Sequence, residues 1–394
     1  MAKISTRKRG EKWYYSVEAT EYALDGKRKR VEKGGFATKK EAMDAGAKAL
    51  ASLGRGDISL VSEKCTVKEF LEEWLEVKKG EVRPTTADNY RTWLSPVIEL
   101  AGGKPLKKLR PRDVNAIAVA LAKRGYAKRS LSVILVVFRT ALRYAVYPME
   151  ILSANPAQCI TVPRNAPEKV TERTVIRQEK LDELLEAFPF GHPMHMPIVI
   201  AYHTGMRLGE VLGLAWDAVD LDAGRLSVVR QITYTAATGR MFSPPKTKSS
   251  VRTIPIDREL VDALRRWKAR QAANEMECGK AYVYVYEGEG GKLWQLSKGQ
   301  PGGKGMARRA LVCTNGTGKA LSRYSVCTAL KKHGVNSHSF RHTHATICAE
   351  NGAPAKGLAG RLGHSSTVIT QDLYTHETER MQEQTVAAFL AKNF

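Results

Sequence analysis

His338-Ser339-Phe340-Arg341-His342-Thr343-His344-Ala345-Thr346 sets a histidine and an arginine three residues apart. On a helix positions 338 and 341 share a face, so an imidazole and a guanidinium there can grip one phosphate together. The histidines also invite a metal reading. However, His338, His342 and His344 do not form the H-E-x-x-H spacing, and no carboxylate lies nearby to complete a ligand set. The expectation is an anion site with no metal and no cofactor.

Three further segments flank this one. Upstream, Thr204-Gly205-Met206-Arg207-Leu208-Gly209-Glu210 reads as a glycine turn feeding a helix, with Arg207 in its first turn. Backbone N–H groups point outward there, and a bidentate guanidinium completes a phosphate-binding geometry. Pro245-Lys246-Thr247-Lys248-Ser249-Ser250-Val251-Arg252-Thr253-Ile254-Pro255 reads as a β-hairpin with two lysines at its tip. A hairpin of that kind can enter a DNA groove and deliver a proton from an ammonium group. Downstream, Leu362-Gly363-His364-Ser365-Ser366 is followed by Tyr374-Thr375-His376. Taken singly each segment has an ordinary explanation: many helices begin with arginine, basic turns face solvent, and a tyrosine near a C-terminus packs. The order of the four carries more information than any one.

Arg, then Lys, then His-x-x-Arg, then Gly-His, then Tyr resembles the tyrosine recombinase (phage integrase) family. The words T-G-M-R-L-G-E, P-K-T-K-S-S-x-R-T-I-P, H-S-F-R-H-T-H-A-T, L-G-H-S-S and Y-T-H are similar to that family too. The layout most resembles integrases of conjugative transposons and temperate phages of Gram-positive bacteria. The resemblance implies an enzyme that cuts and rejoins DNA strands. Tyr374 would attack the scissile phosphate, release a 5′-hydroxyl and store the bond energy as a 3′-phosphotyrosine. Arg207 and Arg341 would clamp the non-bridging oxygens, and His364 would donate a further hydrogen bond. His338 would assist proton movement at the nucleophile, and Lys246 would protonate the leaving oxygen. Lys248, two residues on, is the alternative general acid. Glu210 matches an acid that orients the site. Two arginines and a lysine supply the positive charge that a metal provides elsewhere. The implied partners are double-stranded DNA attachment sites of core and arm type, further copies of the chain in a homotetramer on DNA, and an excisionase accessory protein.

Charge agrees with a polyanionic partner. The 394 residues carry 63 Lys+Arg against 40 Asp+Glu, a net +23, and a surplus that large attracts nucleic acid. Between Gly290 and Ala349 no acidic residue occurs among ten basic ones, so this segment is expected to face phosphates, as a DNA-contacting loop or a disordered insertion. The six cysteines are scattered without a C-x-x-C pair, which fits a reduced interior and neither a disulfide framework nor a zinc ribbon. No apolar run is long enough to span a membrane, and the first residues lack the apolar stretch of a secretory leader. A cytoplasmic protein is therefore expected.

Length favours several domains. The expected fold is multidomain and mainly α with small β elements. Residues 1–55 form a basic arm-binding module: strands at 12–17 and 29–33 about an Asp25-Gly26 turn, then a helix capped by Thr38 and Glu41. Residues 64–160 form a helical core-binding (SAM-like) domain, with Val67, Phe70, Leu71 and Trp74 on one face and Thr85 capping a second helix. Asn155 to Pro167 reads as a connector. Residues 170–394 form an α+β catalytic domain, whose last helix carries an apolar Val386, Phe389 and Leu390 stripe; it packs on its own domain or, as the resemblance implies, on a neighbouring protomer. Two rival functions remain: a catalytically silent architectural DNA-binding protein of the same fold, and a metal-dependent nuclease using the histidines.

Overall fold

The computed structural model describes residues 3–22, 28–53, 65–168, 175–300 and 302–363. The chain divides into two compact units, Met1–Val170 and Thr171–Phe394.

The first unit opens with an antiparallel sheet of β1 (Lys3–Arg9), β2 (Lys12–Tyr22) and β3 (Arg28–Phe36), in that order, followed by helix α1 (Lys39–Leu53). Tyr15 and Val17 of β2 and Ala42 of α1 are buried. Strand β1 was not expected: its sequence, KISTRKR, has one large apolar residue and shows no alternation. The Asp25-Gly26 turn lies outside the described residues. The helix cap is as expected, with the Glu41 N–H donating to Thr38 Oγ1 at 3.2 Å.

Four helices follow: α2 (Val67–Glu81), α3 (Pro84–Ala101), α4 (Pro111–Lys123) and α5 (Lys128–Val146). Val67, Phe70, Leu71 and Trp74 are buried together with Leu94, Leu121, Leu131 and Phe138. Thr66 and Glu69 cap α2 reciprocally, at 3.2 and 2.8 Å. Thr85 is not a cap: the cap is Arg83, two residues earlier, with Pro84 in the first turn of α3, where the missing proline N–H costs nothing. The stretch from Asn155 to Pro167 does not run free as a connector. Arg139 on α5 donates to the carbonyls of Ala157 (3.0 Å) and Ile160 (2.7 Å), the Lys128 N–H reaches Pro167 O at 2.9 Å, and Ala157 and Ala166 are buried.

The second unit alternates helices with short antiparallel sheets. Helices α6 (Gln178–Ala187), α7 (His195–Thr204) and α8 (Leu208–Gly213) precede β4 (Val219–Asp220), β5 (Arg225–Val228), β6 (Gln231–Thr235), β7 (Gly239–Ser243) and β8 (Arg252–Pro255). Helix α9 (Arg258–Cys278) leads into β9 (Val283–Glu287), β10 (Leu293–Ser297) and β11 (Ala307–Arg308), and α10 (Arg323–Lys332), α11 (Ser337–Glu350) and α12 (Ala355–Leu362) follow. The sheets are β4-β5-β8, β6-β7 and β10-β9-β11. Val211, Leu226, Ile254, Leu264, Val312 and Phe340 share one core.

Two expectations are corrected here. Strands β7 and β8 do not pair: β7 pairs with β6 and β8 with β5. Pro245 to Val251 is therefore a crossover between two sheets, closed by a 3-10 turn over Lys248–Ser250, and not a hairpin tip. The acid-free stretch from Gly290 is not a disordered insertion where it is described: it supplies β10 and β11, which pair with β9 in a sheet whose Val283 and Val285 are buried because they alternate on its inner face. The residues just beyond it are tied down by Trp267, whose Nε1 donates to Val312 O at 2.8 Å.

Candidate active site

Three elements meet where two guanidiniums converge. Helix α7 ends at Gly205, which takes a left-handed φ of +64°. A Cβ there would lie 2.8 Å from Leu362 Cδ2 and 2.9 Å from His344 Cδ2, so only glycine fits a turn this close to α11 and α12. The turn delivers Arg207 to the N-cap of α8, one position before the first turn in which it was expected. Helix α11 supplies Arg341, buried at 7% exposure. Its Nη1 donates to Gly205 O at 2.9 Å and its Nη2 to Leu362 O at 2.6 Å. Helix α12 ends at Gly363, also left-handed at φ +67°, whose carbonyl accepts from Arg207 Nη2 at 3.4 Å. Both arginines thus converge on the Leu362–Gly363 turn.

Glu210 organises the group from below. It is 2% exposed, accepts from the Arg207 N–H at 3.1 Å and from Arg207 Nη1 at 2.9 Å, and accepts from Arg252 Nη2 at 3.0 Å. Burial by itself would raise its pKa, but the Arg252 and Arg207 guanidiniums and their hydrogen bonds hold it below the usual carboxylate range. One carboxylate therefore bonds two guanidiniums, and the third, Arg341, feels only its charge. The surplus shows in Arg341, whose pKa is pushed down to about 9 by burial and by the charges of Arg207 and Arg252, against the opposing pull of Glu210. It stays cationic at neutral pH, and a bound anion would relieve the strain of like charges.

The remaining expected residues fall as follows. His338 lies one turn before Arg341 on α11, with one side open to solvent. Desolvation of its packed side, then the charges of Arg323, Arg341 and Arg207, lowers its pKa. Lys246 is exposed on the crossover before the 3-10 turn. His364 and Tyr374 lie outside the described residues, as does the Val386, Phe389 and Leu390 stripe. His344 cannot serve as an open metal ligand: Nδ1 bonds Tyr202 O at 3.0 Å and Nε2 accepts from Arg361 Nε at 2.9 Å. Burial and the Arg361 charge push its pKa down to about 4, so it is neutral. His203, Asp257 and Glu259 bring one potential ligand atom each within 4.8 Å of one another. Asp257, however, uses Oδ1 to cap α9 (2.9 Å from Leu260 N) and Oδ2 to hold His203 at 2.9 Å.

Arg252, Arg361 and Ser250 were not anticipated as parts of the centre. Arg252 carried a legible signal: on β8 it sits two residues before the fully buried Ile254, so both face inward. An arginine at an inward strand position needs partners, and here they are Glu210 and two carbonyls.

The acid-free segment is less bare in space than in sequence. Lys298 pairs with Glu275 at 2.7 Å, Arg309 with Glu287 at 2.6 Å and with Asp217 at 3.4 Å, and Arg308 stacks 3.5 Å over Tyr284. Arg323, Lys331 and Lys332 on α10 are exposed and make no ion pair among the described residues.

The model of the phage integrase family matches residues 174–381, more than half of the chain. The chain belongs to the phage integrase family. Residues 5–53 match an arm DNA-binding domain and residues 66–119 the N-terminal SAM-like domain of phage integrases. The chain is 27% identical over 405 residues to a XerC-like tyrosine recombinase of Caldanaerobacter subterraneus subsp. tengcongensis, covering 98% of both chains. It is 25% identical to the ICEBs1 integrase of Bacillus subtilis, over 71% of this chain and 70% of that one. It is 23% identical to the transposase from transposon Tn916 of Enterococcus faecalis, over 82% and 76%. Among solved folds, the Tn1549 transposon integrase in complex with transposon right-end DNA aligns with a TM-score of 0.63 at 19% identity, covering 82% of this chain and 99% of that one. A lambda integrase dimer bound to a COC′ core site aligns at 0.55 and 17% identity, covering 95% and 96%. Within the family the chain is a tyrosine recombinase, most like the integrases of conjugative transposons.

Proposed function

We propose that this chain integrates and excises a mobile element by cutting and rejoining DNA at attachment sites, with Tyr374 as the nucleophile. The observation that carries the reading is the convergence of Arg207 and Arg341 on the Leu362–Gly363 turn, next to His364, with Glu210 neutralising only part of their charge. An under-neutralised pair of guanidiniums suits a scissile phosphodiester, whose transition state gathers negative charge on its non-bridging oxygens. The Tyr374 phenol loses its proton with the help of His338, whose lowered pKa leaves it neutral and able to accept. The phenolic oxygen bonds to phosphorus and the bond from phosphorus to the 5′-oxygen breaks. Lys246 gives that oxygen its proton, and His364 donates a hydrogen bond to the phosphoryl group. Rejoining is the reverse, with a 5′-hydroxyl of the partner strand as nucleophile. The guanidiniums and the ammonium supply the charge stabilisation that a metal supplies elsewhere, so the reaction runs without one. Residues 1–55 bind arm sites, residues 64–160 bind the core site, residues 170–394 cut and rejoin it, and four copies act together on DNA with an excisionase directing excision.

The test is a nicked duplex carrying the element's attachment core, whose cleaved strand loses its rejoining end. In excess EDTA the wild type should form a denaturation-resistant protein–DNA band, absent with Tyr374→Phe. No band under any condition leaves an architectural DNA-binding protein, and cleavage that EDTA abolishes points to a metal nuclease.

A further inference from the structure

Arg252 is a fully engaged side chain of the second unit that the mechanism above does not use. Its side chain is 7% exposed, and each of its three nitrogens has a different partner. Nη2 donates to Glu210 Oε2 at 3.0 Å, Nη1 to Ser250 O at 2.9 Å, and Nε to Arg361 O at 2.6 Å. These partners belong to α8, the crossover after β7 and the end of α12. One guanidinium thus joins all three segments.

The crossover is tied to this guanidinium by a short relay. Ser250 is buried at 1% exposure. Its N–H donates to Thr247 O at 3.0 Å, and its hydroxyl lies 2.8 Å from Thr247 Oγ1 and 3.5 Å from Gly363 O. Thr247 follows Lys246 directly. Lys246 itself is exposed and its crossover is not part of a hairpin, so the β-ladder does not set its place. Gly363 closes the other side: a Cβ there would come within 3.0 Å of Arg252 Nη1 and 3.1 Å of Ser250 Cα.

We infer that Arg252 is a positioning residue that sets the place of Lys246 relative to the Arg207–Arg341 pair. It does so by holding the Ser250 carbonyl, and through it the turn beginning at Thr247, against Glu210 and the end of α12. This rests on the proposed function, and specifically on Lys246 as the acid for the leaving 5′-oxygen. Arg252 shares Glu210 with Arg207, and its role here is geometric: a planar fork reaches three separate acceptors.

The experiment compares a normal scissile phosphate with one carrying a 5′-bridging sulfur. A thiolate leaves without a proton, so a defect in delivering that proton disappears on the sulfur substrate. Wild type, Arg252→Ala, Arg252→Lys, Lys246→Ala and Arg207→Ala are assayed for the rate of covalent complex formation, with thermal unfolding followed alongside. Arg252→Ala should lose on the order of 10²-fold on the oxygen substrate and recover to within about tenfold of wild type on sulfur, as Lys246→Ala should. Arg252→Lys keeps the charge beside Glu210 and should show a smaller loss with the same sulfur recovery, which covers the case of an unfolded alanine variant. Arg207→Ala should show no recovery. Equal losses on both substrates in Arg252→Lys, or no loss on oxygen in either Arg252 variant, would overturn the inference. If the wild type forms no covalent complex on either substrate, the proposed function fails instead.

Discussion

The second unit holds two arginine-rich places that treat positive charge in opposite ways. In the β10-β9-β11 sheet and its flank, Arg309 has two carboxylates, Glu287 and Asp217, and Lys298 has Glu275. At the end of α12, Arg341 has no carboxylate within bonding distance among the described residues; its partners are the carbonyls of Gly205 and Leu362. A carbonyl satisfies the N–H groups and leaves the charge in place. A carboxylate satisfies both. Counting basic residues along the chain gives the two regions equal promise as phosphate sites, yet only the one built on carbonyls keeps its charge for a ligand.

Changing the partners or the shape of the guanidinium should separate the two regions. The largest effect is expected at Arg341. Arg341→Lys keeps a charge but cannot donate to both carbonyls, and should slow covalent complex formation on the order of 10²–10³-fold. A loss under about tenfold would mean that the fork geometry is not what the phosphate needs. Glu210→Gln comes next. It leaves two guanidiniums without their shared anion and should destabilise the fold by about 3 kcal/mol at neutral pH, read by chemical denaturation. The sign with pH follows from the direction of its shift. Because the folded pKa lies below the unfolded one, the ionised carboxylate stabilises above the ordinary carboxylate range, and that contribution is lost as pH falls through the folded value. The gap between wild type and Glu210→Gln should therefore close in acid, and a gap that widens there would contradict the assignment.

A smaller effect is expected at His338. Its pKa is lowered from 6.5, so the cleavage rate should hold through pH 6.5 and fall about tenfold per unit only below the shifted midpoint. His338→Gln should remove this acid limb, and a midpoint at or above 6.5 counts against the histidine as proton acceptor. The smallest change belongs to the sheet. Arg309→Ala breaks partly exposed pairs and should cost about 1 kcal/mol or less of stability with cleavage unchanged. A cleavage defect would show that the sheet does more than neutralise its own charges.

The same contrast explains what was readable in advance. Helix α2 was legible because Val67, Phe70, Leu71 and Trp74 recur at the helical period and are buried. The Thr38–Glu41 cap was legible because its chemistry is local. The proximity of Arg207, Glu210 and Arg341 was reached through their order in the chain and not through any local rule. Strand β1 was missed because a nearly all-polar edge strand has no apolar alternation to find. The hairpin about Lys246 was misplaced because two short strands flanking a turn read the same whether they pair with each other or with β6 and β5. The pairing of Lys298 and Arg309 was hidden because Glu275, Glu287 and Asp217 lie outside the acid-free stretch. Charge in sequence is not charge in space.

The most direct measurement is the identity of the residue that carries the DNA. Trypsin acting after Arg361 and Arg380 releases residues 362–380, in which Tyr374 is the sole tyrosine. After trapping on the nicked attachment core, nuclease trimming and mass spectrometry, this peptide should carry a nucleotide remnant on Tyr374. A remnant on any other peptide, or a trapped complex that survives in Tyr374→Phe, would contradict the assignment of the nucleophile.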